Sequence, residues 1–364
     1  MKQTVLHPAH EALKAKMTDF QGWQVPFLYS DVQDEYHAVR SAAGLFDIGF
    51  LGRVEVRGPG AEALLQGLVA GDVAKIPEGS ARYGLLCNAS GFLLDDPVIS
   101  RLSSKKTGAS RYLLTLNAVC TEKILGLLRQ HGAEDVQIED RSGATAHLAL
   151  QGPMSVRILE GLSGSGFKKM KPYAVRDITV AGIAALVSRI GFTGEHGYEF
   201  IVPSADAAAL WDALLKAGRD AGIRPCGFAA RDIVRLEKGY VLYGNDIDAT
   251  RTPIEAGLSS FVDSKKNFAA REILQQLKTK GTEQQLAGFM LLDKGVPKNG
   301  CGILSENRVV GVVTSGGQSP LMRAGIGLGY VVRRYAQPGQ EIEIEVRDRE
   351  IAAKIVELPF YRKK

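Results

Sequence analysis

The sequence has no apolar run approaching the roughly eighteen residues that a membrane helix needs, which excludes a helical bilayer span. The N-terminal stretch MKQTVLHPAHEALKAKM has neither an apolar h-region nor a small-residue cleavage site, so no secretory signal is expected. Cysteine is scarce: Cys87, Cys120, Cys226 and Cys301 lie far apart with no C-x-x-C pair. That excludes a disulfide framework and a thiolate zinc site, and it fits a reducing cytoplasm. The six histidines are equally scattered, with no H-E-x-x-H and no H-x-H. His7 and His10 flank Pro8 and read as solvated surface residues, not as metal ligands. The charge imbalance is small, 45 Lys and Arg against 40 Asp and Glu, or +5. A partner that is a nucleic acid is not implied by so modest and dispersed an excess.

What is present is an ordinary globular composition, 45% hydrophobic and 23% charged, on 364 residues, which suffices for two or three packed domains. Two segments echo each other. Arg57-Gly58-Pro59-Gly60 follows an alternating run and opens AEALLQGL; Gln151-Gly152-Pro153-Met154 follows AHLAL and opens SVRILEGL. Both read as strand, tight turn and a helix started by proline, and neither turn has the G-K-[ST] ending of a phosphate loop. A further helix is expected from a Ser204 N-cap through ADAAALWDALLKAG, with Leu210, Trp211, Leu214 and Leu215 inward. GFAARDIVRLEKGY reads as a short helix ending near Gly239, whose Arg231, Arg235 and Lys238 form one basic stripe, read as a solvated face. The lysines of KKMK (168–171) and SKK (264–266) are likewise read as solvated. Beyond the polar KTKGTEQQ (278–285), alternating strands predict a small β-barrel or sandwich. Within it, AGIGLGYVV (324–332) mimics a dinucleotide loop but is followed by strand residues, and is read as a turn.

Two stretches have the residues for chemistry. In CNASGFLLDDPVIS (87–100) a turn at Asn88–Gly91 leads into a strand ending in Asp95 and Asp96. Adjacent strand residues face opposite ways, so the two cannot form a carboxylate dyad. If Leu94 and Val98 face the core, Asp96 turns inward with them, where a carboxylate needs hydrogen-bond partners or a cavity. Pro97 places this at an edge or strand end. In SRIGFTGEHGYEF (188–200), Gly191, Gly194 and Gly197 punctuate a turn between strands. Glu199 shares a face with Gly197 and Ile201, which leaves two readings open: a strand glutamate facing solvent, or a carboxylate that a planar ligand can approach and that accepts two parallel N–H donors.

The segments MTDFQGWQVPFLY, HAVRSAAGLFDI, GDVAKIPEG, YGLLCNASGFLLDD, QGP, GFTGEHGYE, PCGFAARDIVRLEKGYVLYGNDID, TSGGQSP and PFYR follow one another along residues 4–362. Together they resemble the aminomethyltransferase, or T-protein, family of the glycine cleavage system. The KGYVLYGND stretch separates the chain from a related folate-binding iron–sulfur maintenance protein, which carries K-G-C-Y-x-G-Q-E there. The resemblance implies an α+β fold of three domains in a cloverleaf around a folate site. A folate-binding region of two interleaved α+β subdomains would occupy residues 1–280 and a C-terminal β-barrel residues 281–364. It also implies transfer of a methylene group from an aminomethylated lipoyl arm of H-protein to tetrahydrofolate with release of ammonia, by a cytoplasmic monomer that needs no metal and no membrane.

Residue by residue, the same resemblance makes Asp96 the catalytic carboxylate and Glu199 the group that holds the pterin edge. Arg231 becomes a folate-site cation, Tyr83, Asn117, Tyr173 and Tyr240 further folate-lining residues, and Arg362 a basic group at the C-terminal end. The chain departs from the family pattern at Gly49-Phe50-Leu51 (usually S-H-M), Phe192 (usually Tyr), Pro97, Ser100 and SPLMR (319–323). Two alternatives therefore stay open: a paralogous folate-dependent methyltransferase or demethylase with another small donor, and a folate-binding protein without turnover.

Overall fold

The structure, a computed structural model, describes residues 1–103, 108–164, 166–347 and 349–363. The chain threads between two compact units. The first comprises Met1–Gly67, Asp72–Gly84 and Asp96–Arg231; the second comprises Leu68–Gly71, Leu85–Asp95 and Asp232–Lys364.

Two sheets build most of the first unit. One is antiparallel throughout, in the order Gln137–Asp140, Gly52–Arg57, Arg111–Leu116, Val98–Arg101, Ser80–Tyr83. The other runs Val175–Val180, Ile183–Ser188, Gly197–Pro203, Thr145–Gln151, Ala43–Asp47, Ile223–Pro225, with only the last pair parallel. Each sheet contains one of the two echoing segments. Strand Gly52–Arg57 leads to helix Ala61–Leu68, and strand Thr145–Gln151 leads to helix Ser155–Ser163. The turns need glycine twice over: Gly58 and Gly152 sit at φ +127° and +135°. A side chain there would also strike the carbonyl oxygens of Asp135 and Ala42, at 2.0 and 2.5 Å. Pro59 and Pro153 do not start the helices as expected. Each stands two residues ahead, spanned by a turn hydrogen bond from Ala61 to Gly58 and from Ser155 to Gly152.

One face of the six-stranded sheet carries Leu45, Leu148, Leu150, Val187, Phe200 and Val202, and packs with Ile158, Leu159, Leu210, Trp211 and Leu214 of the helices. Period-two alternation then sends His147, Ala149, Gln151 and Glu199 to the opposite face. Helix Ala207–Ala217 begins later than its expected Ser204 cap, because Ser204 enters a 3-10 turn and its hydroxyl bonds the Gly143 carbonyl. His7 and His10 are not on the surface. Both are buried, and His10 Nε2 lies 2.8 Å from Asp47 Oδ2 while its Nδ1 lies 2.9 Å from the Tyr29 hydroxyl. The short helix His7–Ala12 turns His10 onto the edge of Trp211, at 5.5 Å between ring centroids, which removes it from solvent.

The second unit contains a closed barrel of six strands in the order Gln284–Leu291, Ala324–Val332, Arg308–Ser319, Gly302–Ser305, Glu341–Val346, Arg349–Val356. AGIGLGYVV is therefore a strand and not a turn. Its glycines answer large neighbours: side chains at Gly327 and Gly329 would meet the Phe289 ring at 2.4 Å and Ile303 at 2.7 Å. A small barrel fills its interior by that alternation of small and large residues. The hairpin Leu86–Cys87 with Leu93–Asp95 also belongs to this unit and turns through Gly91 at φ +87°. Lys266 is buried, not solvated, with its ammonium group donating to the Val69 carbonyl.

The supposed basic stripe divides. Lys238 is half-exposed, but Arg235 is 1% exposed and surrounded by acceptors. It reaches Asp246 Oδ2 and Asp232 Oδ1, each at 2.7 Å, as well as the Ser315 hydroxyl and the Tyr240 carbonyl. Asp246 also accepts from the Leu242 N–H and the Thr314 hydroxyl, and Ser319 donates to Glu237 at 2.6 Å. The acidic neighbours outweigh burial and hold the Arg235 guanidinium above its ordinary range.

Candidate active site

Strand register assembles the first group of predicted residues. Val98 pairs with Tyr83 on one side and with Thr115 on the other. Asp96, two residues before Val98, therefore falls between the ends of both neighbouring strands. The Tyr83 hydroxyl donates to Asp96 Oδ2 at 2.6 Å, and the Asn117 amide donates to Oδ1 at 2.6 Å. These are short, charge-assisted hydrogen bonds, one to each carboxylate oxygen. Asn117 is itself fixed, because its carbonyl accepts from the Cys120 N–H and the Thr121 hydroxyl at the start of helix Thr121–His131.

The strand reading of this region needs one correction. Leu94, Asp96 and Val98 do share a parity, but they are half-buried, whereas Leu93, Asp95 and Pro97 are buried. The strand does not run through: it ends at Asp95 and restarts at Val98, with Asp96 and Pro97 between. Asp95 takes the closed side and Asp96 the open one. Asp96 is thus half-buried, and the bonds from Tyr83 and Asn117 orient it.

Glu199 sits on strand Gly197–Pro203, 8% exposed, opposite Ala149. The diagonal neighbour of that pair is His147, whose Nε2 lies 3.0 Å from Glu199 Oε2. Burial is the largest cause holding the His147 imidazole below the usual 6.5; Arg53 and Arg231 add to it, and Glu199 opposes it. The Arg231 guanidinium lies over the Phe192 ring, 4.9 Å from its centroid. The ring retained at this departure thus supplies a cation–π platform.

The expected open space above Gly197 is not open. A side chain at Gly191 or Gly197 would collide with the Gln151 carboxamide at 1.9 and 2.3 Å, so both glycines make room for Gln151. Gln151 is held there by the Ile190 carbonyl and the Thr193 hydroxyl. Another departure, Gly49-Phe50-Leu51, is a turn with Gly49 and Phe50 buried and Leu51 half-buried. Arg53 donates to the carbonyls of Gly49 and Leu51, and Phe50 packs edge-on to Phe20 at 5.4 Å between centroids.

Of the remaining predicted residues, Tyr173 sits at φ +65° with its side chain 53% exposed. Its backbone carbonyl accepts from Ala81, on the strand that ends in Tyr83. Tyr240 and Arg362 belong to the second unit. Tyr240 follows the helix-ending Gly239, and Arg362 makes a 3.6 Å ion pair with Glu357 between two exposed side chains. Sequence reasoning missed His147 and Gln151. The available signal was a histidine and a glutamine at alternating positions of an otherwise apolar strand, on the parity opposite to its leucines.

The two helix-packed sheets of the first unit and the closed six-stranded barrel of the second define an α+β protein with a C-terminal barrel. Residues 6–266 match the GCVT N-terminal domain, and residues 284–362 match the glycine cleavage T-protein C-terminal barrel domain. The chain belongs to the glycine cleavage T-protein family, the aminomethyltransferases. An aminomethyltransferase of Geobacillus thermodenitrificans is 40% identical over 100% of this chain and 99% of its own. One of Symbiobacterium thermophilum is 41% identical over 100% and 98%. The crystal structure of the glycine cleavage system aminomethyltransferase T from Bartonella henselae superposes with a TM-score of 0.91 at 30% identity, covering 99% of this chain and 98% of that one.

Proposed function

We propose that this enzyme transfers the methylene of an aminomethyl group, carried on the lipoyl arm of an H-protein, to tetrahydrofolate, and that Asp96 is its catalytic carboxylate. The observation that carries the reading is the pair of 2.6 Å hydrogen bonds that aim Asp96 from Tyr83 and Asn117. Tetrahydrofolate supplies an amine nucleophile, N5, which gains positive charge as it bonds to the methylene carbon. Asp96, already fixed, stabilises that charge without reorganising and can accept a proton as the amine releases it. Ammonia and the free dihydrolipoyl thiol leave, and 5,10-methylenetetrahydrofolate remains.

The residues fit such a ligand. Glu199 Oε2 meets His147, while Oε1 accepts from no group among the described residues, so the carboxylate has acceptor capacity for the N–H edge of a pterin. Arg231, stacked on Phe192, offers its cation to carbonyl or carboxylate oxygens of the folate. Tyr173 and Tyr240 complete the reading as aromatic cover and Arg362 as a terminal cation. With it go a folate-binding region at 1–280, a barrel domain at 281–364, a monomer and a cytoplasmic setting. No helix among the described residues is long and apolar enough to cross a membrane.

The test is a turnover assay with tetrahydrofolate and aminomethyl-loaded lipoyl H-protein, following both products. Ammonia and methylenetetrahydrofolate formed in equal amounts are expected. Tetrahydrofolate binding without product from this donor would overturn the reading and turn the search to small methylated donors.

A further inference from the structure

We infer that His147 is a positioning residue for Glu199: its neutral imidazole donates Nε2–H to Oε2 and thereby aims the carboxylate, in the ionised state, at the ligand's paired N–H donors. This inference rests on the assignment of Glu199 to folate binding. Register brings the two together. Ala149 pairs with Glu199, and His147 lies two residues back on the same strand face, so the imidazole approaches as a diagonal neighbour at 3.0 Å.

The surroundings fix the tautomer. His147 is 1% exposed, and its Nδ1 has no hydrogen-bond partner among the described residues. A proton on Nδ1 would leave a buried donor unsatisfied, whereas a bare Nδ1 lone pair costs less. Charge points the same way. The groups acting on the imidazole are Glu199 from its own sheet, Arg53 from strand Gly52–Arg57 and Arg231 from helix Phe228–Glu237. Two cations and deep burial disfavour an imidazolium, so the ring stays neutral and the Nε2 proton points to Glu199. Held there, Glu199 cannot rotate away, and its remaining lone pairs keep a fixed direction.

The experiment compares His147→Leu, His147→Gln and Glu199→Gln with the parent enzyme in tetrahydrofolate binding and in kcat and KM at saturating donor. His147→Leu removes the donor; His147→Gln replaces it with an amide N–H of similar reach. Expected for His147→Leu is a KM for tetrahydrofolate raised about tenfold, with kcat within about twofold, and recovery in His147→Gln to within about threefold. If Glu199→Gln abolishes binding while His147→Leu behaves as the parent, this inference alone fails. If Glu199→Gln binds normally, the role of Glu199 fails and takes this inference with it.

Nitrogen-15 NMR of the parent protein decides the matter even if His147→Leu does not fold. A protonated Nε2 and a bare Nδ1 are expected from about pH 6 to 8. A proton on Nδ1, or a titration midpoint inside that range, would contradict the inference.

Discussion

Arg235 in the second unit and Asp96 in the first are both charged groups held by short hydrogen bonds, yet they are finished to different degrees. Arg235 is 1% exposed, and its guanidinium meets two carboxylates, a hydroxyl and a carbonyl. Asp96 is half-buried, and each of its oxygens receives one side-chain donor at 2.6 Å. A charge enclosed with its partners serves the fold; a charge oriented by side chains at a half-buried position can still be reached by a substrate. The block RDIVRLEKGYVLYGNDID, the most distinctive stretch of the sequence, mostly serves the first purpose. Arg235, Glu237 and Asp246 hold helix, loop and barrel strand together within the second unit.

The sharpest way to break this contrast is to remove Arg235. Arg235→Ala leaves Asp246 buried without its cation and should destabilise the protein by about 3–5 kcal/mol, read as a lowered urea midpoint or loss of soluble protein. A stable Arg235→Ala protein with impaired turnover would reverse the assignment of roles. Next in size, Tyr83→Phe and Asn117→Ala each remove one donor from Asp96. Each should lower kcat about tenfold with the melting temperature nearly unchanged, and the double variant should fall short of the product of the two, since both act through one carboxylate.

A third prediction concerns pH. His147 has its pKa lowered on folding, by burial first, from the usual 6.5. The unfolded chain therefore binds a proton that the folded protein does not as pH falls below that value. Stability is fully present above it and is lost on acidification, by at most about 1.4 kcal/mol per pH unit. His147→Gln should flatten the dependence of the urea midpoint on pH in that window, and an unchanged slope would count against a buried neutral imidazole. The smallest effect belongs to the surface: Arg362→Ala, which breaks a pair exposed at both ends, should change stability by less than about 0.5 kcal/mol.

Local patterns were legible in the sequence. The two strand–glycine–helix segments, the Asn88–Gly91 turn and the barrel strands other than Ala324–Val332 are set by residues near each other in the chain, and the α+β class follows from them. The parity that separates Asp95 from Asp96 was legible too, but not which face is closed, because Pro97 splits the strand and lets the two aspartates enter different units. Residues that meet only through tertiary register stayed hidden. His147 and Glu199 are 52 positions apart, Arg235 and Ser315 are 80 apart, and nothing local says that they touch. Glycine was the most deceptive residue. Gly191 and Gly197 suggested room for a ligand but accommodate Gln151, and the glycines of AGIGLGYVV suggested a turn but make space for Phe289 and Ile303. A missing side chain marks a close approach without saying what approaches.

The central claim is that Asp96 is oriented for chemistry and not for folding, and Asp96→Asn tests it most directly. Turnover with aminomethyl-loaded H-protein, tetrahydrofolate binding and melting temperature would be measured on one preparation. The expected result is a fall in turnover of about 10²-fold or more with binding and melting little changed. Unchanged turnover, or a loss of activity that merely tracks a loss of folded protein, would contradict it.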